Sequence, residues 1–308
     1  MFKQLFNRKE EMAYVAQSAL LPDPVDADRE KLSGDKQPEA PKKAPVVAVL
    51  GAKGGVGASS IAVNLAVALS LSGKKTTLVD SNLQQPDAAQ LMGIEPEHSL
   101  MELLHRMPFP DRQLYDACCT PVSGCGNNLN LLSPPLDGEA GLKANLSQLA
   151  DCLKVIRCYA DFWVIDLPRH LDKHLVNLAD FCDKILLTFE PTIAGVAACR
   201  RWLNTFADLG YDKQRIICLI NRAGAKYGAV EQQLDNCFID ETVFSLPNAS
   251  AAVWDCSARG VPLIVAHPNH SYSKSMLKLA QYISQSTASH SQDNFQTAEI
   301  PPALVPSV

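Results

Sequence analysis

The chain is predicted to fold as an α/β protein, with a mostly parallel central sheet covered by helices on both faces, and three observations lead there. Short apolar runs at Val46–Leu50, Thr76–Val79 and Phe162–Ile165, and in the stretches KILLTFEP and RIICLINRAG, contain few polar breaks. That pattern suits strands buried on both faces rather than half-exposed ones. Stretches with helical periodicity separate these runs, and strictly alternating strand and helix gives parallel pairing through crossovers. The third observation is the glycine-rich turn GAKGGVG between the first run and the first helix.

That turn organises the rest. Gly51, Gly54, Gly55 and Gly57 bring backbone N–H groups close to a ligand. Ser59 and Ser60 then open a helix, IAVNLAVALSLSG, for which Gly73 is a suitable C-terminal stop. Strand, glycine loop and helix N-terminus together form a phosphate cradle built from Gly54, Gly55, Val56, Gly57, Ala58, Ser59 and Ser60. The common spacing G-x-x-x-x-G-K-[ST] is complete from Gly51 to Ser59 except that Ala58 stands where the lysine belongs, and a different lysine, Lys53, comes earlier.

KGGVG followed by a small residue and two hydroxyls resembles the deviant Walker A loop of the MinD/ParA ATPases. The resemblance implies a P-loop NTPase of Rossmann-like, three-layer α/β architecture that binds ATP and Mg2+. It also implies a homodimer that sandwiches the nucleotide, with Lys53 reaching the partner's phosphates. GAKGGVGASS, with its missing second lysine, is most similar to the TadZ/CpaE pilus-localisation branch.

Further along, Asp80 ends the second strand at the edge where open α/β sheets bind ligands. The family has D-x-D here, its second carboxylate orienting the attacking water, whereas this chain reads Asp80, Ser81, Asn82. Asn82 can hydrogen-bond a water but cannot take its proton. The following LQQPDAAQLMGIEPEHSLMELL again resembles the TadZ/CpaE branch, where it leads into a helix on the dimer face. Asn128–Ser133 reads as a strand and Gly138–Tyr159 as a helix.

Phe162–Ile165 ends at Asp166, which matches the Walker B aspartate, and Asp166-Leu167-Pro168 matches the family's D-x-P. By that resemblance Ser59, Asp80 and Asp166 form the magnesium set, and Lys53, Asp80, Asn82 and Asp166 the catalytic one. His170 and His174, four apart on the next helix, could share a face, although zinc sites need three or four ligands. A strand at KILLTFEP, a helix ending at Gly210 and a strand ending in Asn221 and Arg222 follow. The family's asparagine at this strand end reads the adenine edge, a pairing that amide geometry favours. Without that resemblance Asn221 is equally a turn residue. Pro247 and Asn248 then stand by the base, and SYSKSMLKLAQYISQ is the closing helix.

Three regions are expected: a leader over 1–44, the ATPase domain over 45–285, and a polar, disordered tail over 286–308. In the leader, Phe2, Leu5, Phe6, Ala13, Ala16 and Leu20 fall loosely on one helical face ahead of a proline- and charge-rich linker. It is either a docking helix for a membrane surface or partner groove, or a disordered segment with incidental apolar residues. A net charge of -5 makes nucleic acid an unfavoured partner. Ten scattered cysteines without a secretory signal fit reduced thiols in the cytoplasm. Cys118, Cys119 and Cys125 lack the C-x-x-C spacing of zinc sites and read as part of a loop.

Loss of a phosphate-binding cation costs about 3–4 kcal/mol in a phosphoryl-transfer barrier. Loss of a water-orienting carboxylate removes roughly 100-fold more. The expected function is therefore an ATP-gated dimer with slow or absent hydrolysis. The resemblance makes its task the positioning of a pilus or secretion machine at the inner membrane or cell pole. TadZ/CpaE proteins carry a receiver-like domain before the ATPase, for which this leader is too short. A BcsQ-like cellulose-secretion accessory, which shares the D-L-P-R of Asp166–Arg169, is an alternative, as are a scaffold without nucleotide and a ParA-like partitioning ATPase.

Overall fold

A computed structural model describes residues 43–83, 85–126, 128–135, 148–224 and 238–293. The chain divides into two units, Met1–Ala40 and Pro41–Val308, and the described residues all belong to the second. The proposed leader helix and the end of the tail lie outside the described residues. Among the described residues no helix is long and apolar enough to cross a membrane.

The strands are β1 Val46–Gly51, β2 Thr76–Asp80, β3 Thr120–Pro121, β4 Leu129–Leu132, β5 Phe162–Asp166, β6 Lys184–Phe189, β7 Ile216–Ala223 and β8 Thr242–Pro247. They form one sheet in the order β3-β4-β2-β5-β1-β6-β7-β8. Every pairing is parallel except β3 with β4 at one edge. The strand pattern read from the sequence holds because β1, β2, β5 and β6 are buried at every residue. Edge strand β8 alternates exposed and covered positions instead, as a strand with one solvated face should.

Successive residues of a strand point to opposite faces, so each apolar run feeds two cores. On one face Val46, Ala48 and Leu50 join Trp163, Ile165, Ile185 and Leu187. They pack against α3 Leu100–His105, α4 Arg112–Cys118, α5 Leu149–Ile156, α6 Lys173–Phe181 and α7 Ile193–Asp208. On the other face Val47, Val49, Leu78, Phe162 and Val164 pack against α1 Ala58–Leu71, α2 Ala88–Leu91, α8 Ser250–Ala258, α9 Leu263–Ala266 and α10 Ser271–Asp293. This is the three-layer sandwich that the sequence predicts. Each fully buried aliphatic or aromatic side chain contributes about 1.5–3 kcal/mol. Helix α1 is apolar nearly all round, with ten consecutive residues buried from Ile61 to Ser70. Its position is therefore fixed by packing on all sides.

Several boundaries differ from expectation. Of the helix expected over Gly138–Tyr159, the described part is α5 and a short 3-10 turn at Arg157–Tyr159. Helix α10 runs to Asp293, well past the Ser286 at which a disordered tail was expected. Thr287, beyond that point, is buried, and its hydroxyl donates to the Ile283 carbonyl one turn back at 2.9 Å. His170 lies ahead of α6, whose N-cap is Asp172, so it does not share a helical face with His174. Cys118 closes α4 rather than sitting in a loop, and Cys118, Cys119 and Cys125 are all buried.

At their C-terminal ends α2 and α8 nearly touch. A Cβ on Gly93 would lie 2.8 Å from the Gly260 carbonyl oxygen, and one on Gly260 would lie 2.5 Å from Gly93 Cα. Both glycines have positive φ. The two helices form the far wall of the cleft described next.

Candidate functional site

The glycine loop joins β1 to α1 at the C-terminal edge of the parallel sheet. Ala52 N–H donates to the Thr188 carbonyl at 2.8 Å, which carries the β1–β6 pairing into the loop. Gly57 caps α1 at φ 87, a left-handed conformation suited to glycine, and α1 has no acidic residue in its first turn. The free N–H groups at the start of α1 and the positive end of its dipole therefore face an open cleft, the electrostatics an anion requires.

The cleft has a volume of about 580 Å³. It is lined by loop residues Lys53 and Gly55 to Ser60, by Asn82 and Asp87 after β2, by Asp166 to Arg169 after β5, and by Gln90, Leu91, Trp254, Ser257 and Ala258 of α2 and α8. The structure thus gathers most of the residues singled out in the sequence. Asp80 and Asp166 are direct neighbours in the β2–β5 register. Both are buried, and burial pushes both carboxyls above the ordinary carboxylate range. Asp166 is raised further by the nearby Asp80, and a hydrogen bond from the Ser59 hydroxyl partly opposes this.

Asp80 also has a local structural task. One of its oxygens accepts the Asn82 N–H at 3.0 Å and the other accepts the Asp87 and Ala88 N–H groups, each at 3.0 Å. It therefore pins the turn that leads into α2. Asn82 donates its amide to the Gln85 carbonyl at 2.7 Å, which aims that donor at its own turn.

A hard divalent cation such as Mg2+ takes oxygen donors. Ser59, Asp166 and Asp80 offer two buried carboxyls and a hydroxyl, and two carboxylates side by side favour a cation between them. The residues present fit that group.

The residues expected at the adenine are placed otherwise. Strand β7 runs one residue past the expected end at Asn221 and Arg222, to Ala223, with a bulge between Ile220 and Ala223. Asn221 donates its amide to the Val56 carbonyl at 2.8 Å and accepts the Arg222 N–H at 2.9 Å. A Cβ on Gly57 would lie 2.9 Å from its Nδ2. Asn221 thus props the loop from beneath. Arg222 has φ 60, pairs with Glu190 and donates to the Gly55 carbonyl at 3.3 Å. Pro247 pairs with Ala223 in the sheet. Asn248 precedes the N-cap of α8 and accepts the Ser250 N–H at 3.1 Å and its hydroxyl at 2.7 Å. None of these four residues lines the cleft.

Lys53 lies 3.8 Å from Glu190 of its own chain. Glu190 holds both Lys53 and Arg222 and was not singled out in the sequence. The available signal was its place just beyond β6, on the ligand-binding edge of the sheet. Trp254 and Arg169 line the cleft and were missed as site residues.

A family model described as ParA, the NUBPL iron-transfer P-loop NTPase, matches residues 42–119. The chain is 29% identical over 179 residues to the antiactivator FleN of Pseudomonas aeruginosa, covering 56% of this chain and 60% of FleN. Among solved structures, it superposes on the ParA family ATPase of Chlorobium tepidum with a TM-score of 0.71 at 20% identity, over 77% of this chain and 99% of that one. It also superposes on the septum site-determining protein MinD of Pyrococcus horikoshii in complex with Mg-ADP, with a TM-score of 0.67 at 20% identity over 78% and 96% of the two chains. With the parallel sheet and the glycine loop now located, the chain shares the fold of the ParA and MinD P-loop ATPases and is similar in sequence to the ParA family over residues 42–119.

Proposed function

We propose that this protein is an ATP-binding switch that holds Mg-ATP in the cleft above α1, closes into a dimer around it, and hydrolyses it slowly or not at all. The observation that carries this reading is the meeting of Ser59 and the buried Asp166 in one cleft lining at the start of α1. That meeting puts a set of oxygen donors for magnesium beside a helix N-terminus whose N–H groups suit phosphate. Bound magnesium would neutralise phosphate charge, and Ser59, Asp166 and Asp80 are the residues to hold it. The loop N–H groups bind and orient the phosphates, and α2 and α8 shield them from water.

Slow turnover follows from Asn82, which cannot take a proton from the attacking water and whose amide is turned toward Gln85. The switch would act by presenting a nucleotide-dependent surface that positions a larger assembly. A pilus machine of the TadZ/CpaE kind is supported by the sequence resemblance of GAKGGVGASS and of the segment after Asp80. The similarity to FleN favours a second reading, in which the nucleotide-loaded form binds and restrains a regulatory protein.

The test is titration of the full chain with a fluorescent ATP analogue and Mg2+, together with light scattering. Saturable binding with a doubling of mass supports the switch. A lack of saturable binding at millimolar nucleotide leaves a scaffold instead.

A further inference from the structure

Among the described residues three cationic side chains reach the glycine loop, and two of them are paired. Lys53 and Arg222 both face the Glu190 carboxylate. The third, Arg169, stands three residues beyond Asp166 in the connection between β5 and α6. Its path is fixed by Leu167, which is buried and whose N–H donates to the Val49 carbonyl at 3.0 Å. From there the guanidinium lies over Gly54, and a Cβ on Gly54 would collide with Arg169 Nη1. Among the described residues no acid pairs with it. Arg169 lines the same cleft as Ala58, Ser59 and Asp166.

A glycine loop of this spacing ordinarily carries, where Ala58 stands, a lysine that reaches the β and γ phosphates. We propose that Arg169 supplies from the β5–α6 connection the cation that Ala58 does not, binding the terminal phosphates of a nucleoside triphosphate. This rests on the triphosphate reading above and adds the residue that neutralises the charge. A guanidinium is charged at any working pH and presents a planar fork that binds phosphate bidentately. Gly54, having no Cβ, leaves it room to come down onto the loop. The same contact couples the strand end carrying Asp166 to the presence of the terminal phosphates.

The experiment measures Mg-ATP and AMP binding at equilibrium to the full chain, Arg169→Gln, Arg169→Lys and the double variant Ala58→Lys with Arg169→Gln. Arg169→Gln is expected to weaken ATP binding by about 10- to 100-fold, the usual range for a lost hydrogen bond to a charged group. AMP, which lacks the terminal phosphates, is expected to bind equally to both proteins. Arg169→Lys retains part of the affinity, and Ala58→Lys restores it in the Arg169→Gln background.

ATP affinity within twofold of the parent in Arg169→Gln would overturn the proposal while leaving the triphosphate reading intact. So would an equal loss for AMP, or a failure of Ala58→Lys to restore binding. If the parent protein itself shows no saturable ATP binding, the triphosphate reading falls, and this proposal with it.

Discussion

Asn221 and Val56 lie 165 residues apart and are joined by a hydrogen bond of 2.8 Å from the asparagine amide to the loop carbonyl. The loop is thereby tied to β7, and one of the two amide hydrogens of Asn221 is committed to the loop rather than open to a base. Asn221→Ala leaves a buried carbonyl without its donor, which costs about 1–3 kcal/mol of stability. Because the lost contact is to the loop and not the base, the variant should lose ATP and GTP affinity by the same factor. Competition titrations with both nucleotides check this, and a loss confined to ATP would return Asn221 to the base.

The Asp80–Asp166 pair sets a pH dependence whose sign is fixed. Burial raises both carboxyls, so the folded protein keeps protons that the unfolded chain releases above about pH 4. Stability from this pair is therefore present at low pH and lost as pH rises through the elevated values. Without magnesium, the melting temperature should fall between about pH 5 and pH 8, and Asp166→Asn should flatten that slope. Added magnesium, which takes the ionised pair, should stabilise more at the upper end of the range. A magnesium effect independent of pH would contradict the assignment.

Gly93 and Gly260 approach so closely that neither tolerates a side chain, and both occupy left-handed backbone. Gly260→Ala must separate α2 from α8 as well as adopt a strained φ. The combined cost is expected at about 2 kcal/mol or more. Thermal denaturation measures it. Since these helices form the far wall of the cleft, nucleotide affinity should fall with stability, unlike the effect of a purely surface change.

Trp254 is 80% exposed on the cleft wall, whereas Trp163 is fully buried and the Trp202 indole donates to the Ala52 carbonyl at 3.3 Å. Tryptophan emission should therefore respond to Mg-ATP mainly through Trp254. Trp254→Phe should abolish most of the change while leaving the affinity for inorganic triphosphate intact. A response that survives the substitution would place the signal at Trp202, behind the loop.

The fold was readable because its determinants are local and repeated. Uninterrupted runs such as Val46–Leu50 and Phe162–Ile165 leave no polar side for solvent, and parallel strands need the helices that the intervening segments supply. Part of the site was readable for the same reason: Asp80 and Asp166 each stand at the end of an apolar run, where parallel topology collects strand ends, while Ser59 was marked by the resemblance of its glycine loop. Ends of elements were less legible. Helix α10 runs past Ser286, with Thr287 buried, and the position of His170 ahead of α6 depends on the Asp172 cap.

The sequence by itself determined the parallel sheet, the glycine loop at its edge, the absence of a lysine at position 58 and an aspartate at the end of each of two strands. These follow from composition and order along the chain. Only the tertiary structure decided which partners the polar side chains take: Asn221 beneath the loop, Glu190 between Lys53 and Arg222, and Arg169 above Gly54. Such choices turn on a few ångströms between residues far apart in sequence. Hydrogen bonds and ion pairs are short-ranged, so no local pattern in the chain encodes them.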